Sequence, residues 1–155
     1  KQNREMQQLV KKNFGISMII PAEMQASKMA GNFIWISNNA SSGMKNLILM
    51  KVKREERRGK ANSDAFPAQE KQQIDSMLRT NMPGETDSMY MIIPVLSEKG
   101  LWEMKGDAMG GPYVMRRIRL RKTGDEIIII GFVYAPEMKK KILIKQLEAA
   151  ISTIK

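Results

Sequence analysis

Apolar residues recur at helical spacing in three stretches of the chain and alternate at strand spacing in most of the others. Met6, Leu9 and Val10 stand three and four residues apart among charged neighbours, which predicts a helix over residues 1–12. Phe14, Ile16, Met18 and Ile20 then follow a period of two, the signature of one strand face, and Pro21 stops the run. A second strand is predicted at Phe33–Ser37, ahead of the turn-rich stretch 38–43. Leu47–Val52 is apolar on both faces, as a strand inside a sheet must be. The charged segment Lys53–Asp64 reads as a loop or strand extension. Pro67 suits a first helical turn, where its missing N–H goes unused, and Ile74, Met77, Leu78 and Met82 continue one helical face to Pro83-Gly84. Further strands are expected at Met89–Pro94 and Leu101–Lys105. The clearest local signal is a hairpin, with Tyr113–Lys122 and Glu126–Ala135 joined by Thr123-Gly124-Asp125. Pro136 opens a last helix in which Leu143, Leu147, Ala150, Ile151 and Ile154 make one apolar stripe.

The predicted order is helix, three strands, helix, four strands, helix. Grouped strands with short links imply an α+β fold: an antiparallel sheet of about six to seven strands with helices packed on its faces. The 155 residues fit one such domain, spanning positions 1–155. The longest apolar runs, Leu47–Met50 and Ile127–Ile130, fall far short of the roughly 20 residues that a membrane-crossing helix needs. The chain opens Lys1-Gln2-Asn3-Arg4-Glu5, with neither an initiator Met nor an apolar leader, and reads as a piece of a longer protein.

Composition narrows the chemistry. With no Cys, the chain has no disulfide, thiolate metal site or Cys nucleophile; with no His, it lacks the commonest general base and transition-metal ligand. A Ser-His-Asp relay is excluded within it, and nothing in the pattern asks for a metal or a cofactor. The formal charge is +10, from 26 Lys and Arg against 16 Asp and Glu, which favours anionic partners and also serves solubility.

Two segments are candidates for binding. In 100–113, four glycines and a proline flank Trp102. A ligand loop there would use the bare backbone of Gly110 and Gly111, Trp102 and Tyr113 as walls, and Asp107 as a polar contact. A sharp strand connection with Trp102 in the core explains the same residues. In the basic run 116–122, alternation puts Arg117, Arg119 and Arg121 on one face, spaced for an anionic polymer; a solvated sheet face is the alternative. Sheets that read nucleic acid interleave stacking aromatics, and only Tyr113 lies on this face, so specific nucleic-acid binding is not expected. Lys51, Lys53, Arg54, Arg57, Arg58 and Lys60 form a second basic cluster.

The runs Gly100-Leu101-Trp102-Glu103-Met104-Lys105-Gly106, Met109-Gly110-Gly111-Pro112-Tyr113-Val114 and Gly131-Phe132-Val133-Tyr134-Ala135-Pro136 carry a resemblance, together with Lys139-Lys140-Lys141, Pro83-Gly84 and Tyr90-Met91. They resemble a Bacteroidetes lipoprotein family known as a domain of unknown function, with Lys99 and Tyr113 standing where that family has Arg and Phe. The resemblance spans most of the chain and about the C-terminal half of a typical member. It implies a cell-envelope location through a lipid anchor upstream, and it supplies no activity. The opening segment and the Gly-Phe-Val-Tyr strand before a terminal helix are also similar to the PsbP/Mog1-type α/β sandwich, an analogy of fold alone. The expectation is a monomeric, non-enzymatic binding or interaction module of the envelope, whose partner is an envelope protein or an anionic polymer. The alternatives are a polyanion-binding domain using the basic strand and a carboxylate-based enzyme.

Overall fold

The computed structural model describes residues 1–41, 43–53, 67–86 and 88–155, with all their side chains but those of Glu137 and Met138. In chain order it forms α1 (Arg4–Phe14), β1 (Ala26–Ala30), β2 (Phe33–Ser37), β3 (Met44–Val52) and α2 (Ala68–Asn81). Then come β4 (Tyr90–Ile92), β5 (Lys99–Lys105), β6 (Gly110–Arg119), β7 (Glu126–Tyr134) and α3 (Glu137–Ser152). One seven-stranded sheet runs β1-β2-β3-β7-β6-β5-β4, with every neighbouring pair antiparallel. Two local meanders, β1–β2–β3 and β4–β5–β6–β7, are joined where β3 meets β7, from Met44↔Tyr134 to Val52↔Glu126.

β3 and β7 are apolar on both faces because the sheet is covered on both. Leu47, Leu49, Ile127 and Ile129 pack with Met6 and Val10 of α1 and Leu147 and Ile151 of α3. Ile48, Met50, Ile128 and Ile130 pack on the other side with Ile74 and Leu78 of α2 and with Met82 at its C-cap. The result is a layered α+β domain whose core lies on either side of one central strand pair. α1 begins where Asn3 Oδ1 accepts a hydrogen bond from the Met6 N–H at 3.1 Å, and it ends at Gly15 in the left-handed region, φ 73°.

Three local expectations need correcting. Phe14–Ile20 is not a strand of the sheet. Ile16, Met18 and Ile20 are buried in alternation, but the segment bonds to the end of α3: Ser17 and Lys155 exchange backbone hydrogen bonds, and the Ile19 N–H donates to Thr153 Oγ1 at 2.8 Å. The strand that takes its place is β1, Ala-Ser-Lys-Met-Ala, whose composition carries no strand signal; pairing with β2 creates it. Pro67 sits at the N-cap of α2 rather than within its first turn. Finally, β6 stops at Arg119, so Arg121 leaves the strand and enters the turn, where Gly124 N–H bonds to Leu120 O at 2.9 Å.

A basic end of the sheet and its cleft

Three segments distant in sequence bring cations to one end of the sheet. α1 finishes at Lys11, Lys12 and Asn13, β3 finishes at Lys51 and Val52 with Lys53 just beyond, and the β6–β7 hairpin carries residues 116–122. Register joins them: Glu126 of β7 pairs with Val52 on one side and Arg119 on the other. Lys51 Nζ donates to the Asn13 carbonyl at 3.2 Å, tying the end of α1 to β3. Lys11, Lys12, Lys53, Arg119, Arg121 and Lys122 are exposed there, whereas Asp125 and Glu126 are half-buried. Arg54, Arg57, Arg58 and Lys60 lie outside the described residues.

A cleft of about 780 Å³ opens beside this end, lined by Leu96, Ser97, Glu98, Lys99, Met115, Arg116 and Arg117. Its cause is a strand that ends early. β5 accompanies β6 only as far as Lys99↔Val114, and Met115 N–H then bonds to Glu98 O at 2.8 Å. Beyond that point β6 has an open edge against the connection from β4. Tyr113 fixes the wall: its hydroxyl donates to Val95 O at 2.7 Å and accepts from Ser97 N–H at 3.1 Å. Gly100 must be glycine for the ring to lie there, because a Cβ would stand 2.8 Å from Tyr113 Cε2.

The lining is cationic. Lys99 Nζ lies 2.9 Å from a Glu148 carboxylate oxygen, and that hydrogen bond and charge hold the ammonium pKa above its ordinary value. Arg116 Nη1 donates to Ile151 O in the last turn of α3 at 3.2 Å, which leaves further guanidinium donors. Arg117 is half-buried on the sheet's other face. The lining thus holds three cations and one carboxylate, Glu98.

The glycine-rich candidate is built differently. Trp102 is buried, its Nε1–H donates to Val133 O at 3.1 Å, and its ring meets Phe132 edge-on at 5.3 Å between centroids. Gly111 lies opposite Trp102, where a Cβ would come within 2.5 Å of Val133 O; Gly110 pairs with Glu103. Asp107 is exposed in a turn and accepts from Ala108 N–H at 2.7 Å. Tyr113 is buried, so it offers the arginine strand no open stacking ring. The structure therefore brings Arg117 and Arg119 to the basic end with Arg121 in the adjoining turn, and spends Trp102, Gly111 and Tyr113 on packing. Ser97, Glu98, Lys99 and Arg116 were invisible as a group, since their proximity depends on where β5 stops. No group of three or more Asp or Glu that could hold a metal ion occurs among the described residues.

Fold and cleft together define an α+β domain, with three helices and an antiparallel sheet among the described residues and a cationic cleft at one end. The chain belongs to the family described as a domain of unknown function (DUF4837), whose model matches residues 3–153. No curated protein and no solved structure matches it.

Proposed function

We propose that this protein is a binding module of the bacterial cell envelope, lipid-anchored in its full-length form, whose basic end receives the anionic groups of an acidic envelope polymer. The observation that carries this reading is the meeting of cations from α1, β3 and the β6–β7 hairpin beside a cleft lined by Lys99, Arg116 and Arg117. Exposed cations held on one rigid end concentrate a positive field, and a cleft lets an anion lose some water as it enters. Among the described residues the lining holds one carboxylate, Glu98, against three cations, which suits holding an anion better than acid–base chemistry with its converging pair. The location is supported by the resemblance of the Gly100–Gly106 and Gly131–Pro136 motifs to a Bacteroidetes lipoprotein family.

Retention on heparin and on polygalacturonate, measured against salt, tests the binding. Affinity should fall linearly on a log–log plot against salt, by counterion release. Changing Arg119, Arg121 and Lys122 together to Ser should reduce the slope by about 2–3 with the fold unchanged. Unaltered retention in that variant would overturn the assignment of the surface. Fractionating cells that express the full-length protein tests the location, which fails if the protein is found in the soluble fraction.

A further inference from the structure

A second surface lies at the opposite edge of the sheet. Among the described residues β1 pairs with β2 alone, and all five of its residues are exposed. Hydrogen bonds of the neighbouring strand show which of its peptide groups face outward. Lys51 N–H bonds to Asn32 O at 2.9 Å, so Asn32, Ile34 and Ile36 turn their peptide groups toward β3, while Phe33, Trp35 and Ser37 turn theirs toward β1. Their register partners Ala30, Lys28 and Ala26 are satisfied by β2. Ser27 and Met29 therefore present their N–H and C=O groups to the open edge, spaced as a ladder for another strand.

The two sides of that edge differ. On the side of α1, a groove of about 690 Å³ lies beside the start of the edge, where Ser27 of β1 meets Met6, Leu9 and Ala22 among polar neighbours that include Arg4 and Glu5. On the other side stands Lys28, opposite the half-buried Trp35 and without an ion pair among the described residues. A strand added at this edge would point alternate side chains into the groove and the others alongside Lys28.

We propose that the β1 edge takes up an extended segment of another protein as an added strand, with apolar residues toward the α1 groove and acidic residues toward Lys28. A second copy of this chain is the poorer occupant. Two-fold pairing centred on β1 would set Lys28 against Lys28, between molecules that each carry a formal charge of +10. Strand addition of this kind draws affinity from main-chain bonds and selectivity from alternate side chains.

The test uses short fluorescent peptides in an anisotropy titration: one alternating Val and Glu, one of the same composition with its Val and Glu in separate blocks, and one alternating Val and Lys. The alternating acidic peptide should bind, and the other two should be weaker by at least about tenfold. Met29→Pro removes one outward N–H without touching the β1–β2 ladder, and should weaken binding about tenfold with unchanged circular dichroism. Lys28→Glu should shift the preference toward the Lys peptide. Arg119→Ser, at the basic end, should leave the peptide titration unchanged while weakening retention on heparin, which separates this surface from the basic cleft. Equal binding of the alternating and block acidic peptides would overturn the proposal, as would an inert Met29→Pro. Self-association abolished by Met29→Pro would do so as well, by giving the edge to a second copy.

Discussion

At the scale of single residues, two side chains show how much depends on their surroundings. Trp102→Ala would leave a cavity against Phe132 and strip Val133 O of its buried donor, so a loss of about 3–5 kcal/mol is expected in denaturant titration. Lys45 is buried in β3, 2.7 Å from Glu23 Oε2 and 2.9 Å from Gln146 Oε1. The hydrogen bond from Lys45 holds the Glu23 carboxyl below its ordinary 4.5. A depressed carboxylate pKa contributes stability that is fully present above the unfolded value and fades as pH falls through the folded one. Glu23→Gln should therefore destabilise at neutral pH and converge on the parent well below 4.5; with Glu23 half-exposed, the loss is about 0.2–1 kcal/mol. A gap that persists in acid would show that the carboxylate's charge is not the source. The sequence singled out Trp102 by the glycines around it but left open whether it walls a ligand loop or fills the core, since that depends on what packs against it. The Glu23–Lys45–Gln146 cluster was not legible in the sequence, since its members belong to three unrelated stretches.

At the scale of elements, periodicity revealed burial more reliably than hydrogen-bond partners. The α3 stripe packs as its spacing predicts, with Leu147 buried against Gly131 of β7. Leu147→Ala should cost about 2–5 kcal/mol, read from the denaturation midpoint; an unchanged midpoint would mean that the helix is not needed on the sheet. Residues 16–20 alternate just as clearly, yet alternation says only that one side of an extended segment is buried. Whether its backbone bonds to a strand or to the end of α3 is a tertiary matter. β1 shows the converse: Ala26–Ala30 has no β-branched residue, and it becomes a strand because the two-residue turn Gly31-Asn32, with Gly31 at φ 58°, folds it onto β2. Tyr113→Phe should keep the ring in place and lose the two hydroxyl bonds that hold the 95–97 wall. Amide exchange at Ser97 should accelerate, with a stability loss of about 1–3 kcal/mol.

At the scale of the molecule, one end is crowded with like charges, and the formal total is +10. Self-repulsion of this kind is screened by salt, so the melting midpoint should rise by about 2–4 °C from low salt to near-molar chloride. A falling midpoint would mean that ion pairs such as Lys45–Glu23 outweigh the repulsion. The antiparallel α+β class was readable from the order of elements, because grouping survives small errors in boundaries. The basic end was half readable, since β6 announced itself while the contributions of α1 and β3 depended on the fold. The joint between β3 and β7 has a further consequence, in time rather than space. Each meander can form from neighbours in the chain, but Leu47–Val52 has no partner on its second side until Ile127–Ile130 arrives. Closing that long loop before its contacts form makes slow folding the rule, on the order of milliseconds to seconds. Until then, two of the most apolar strands keep unpaired edges, so the interval before closure is when the chain is most exposed to aggregation.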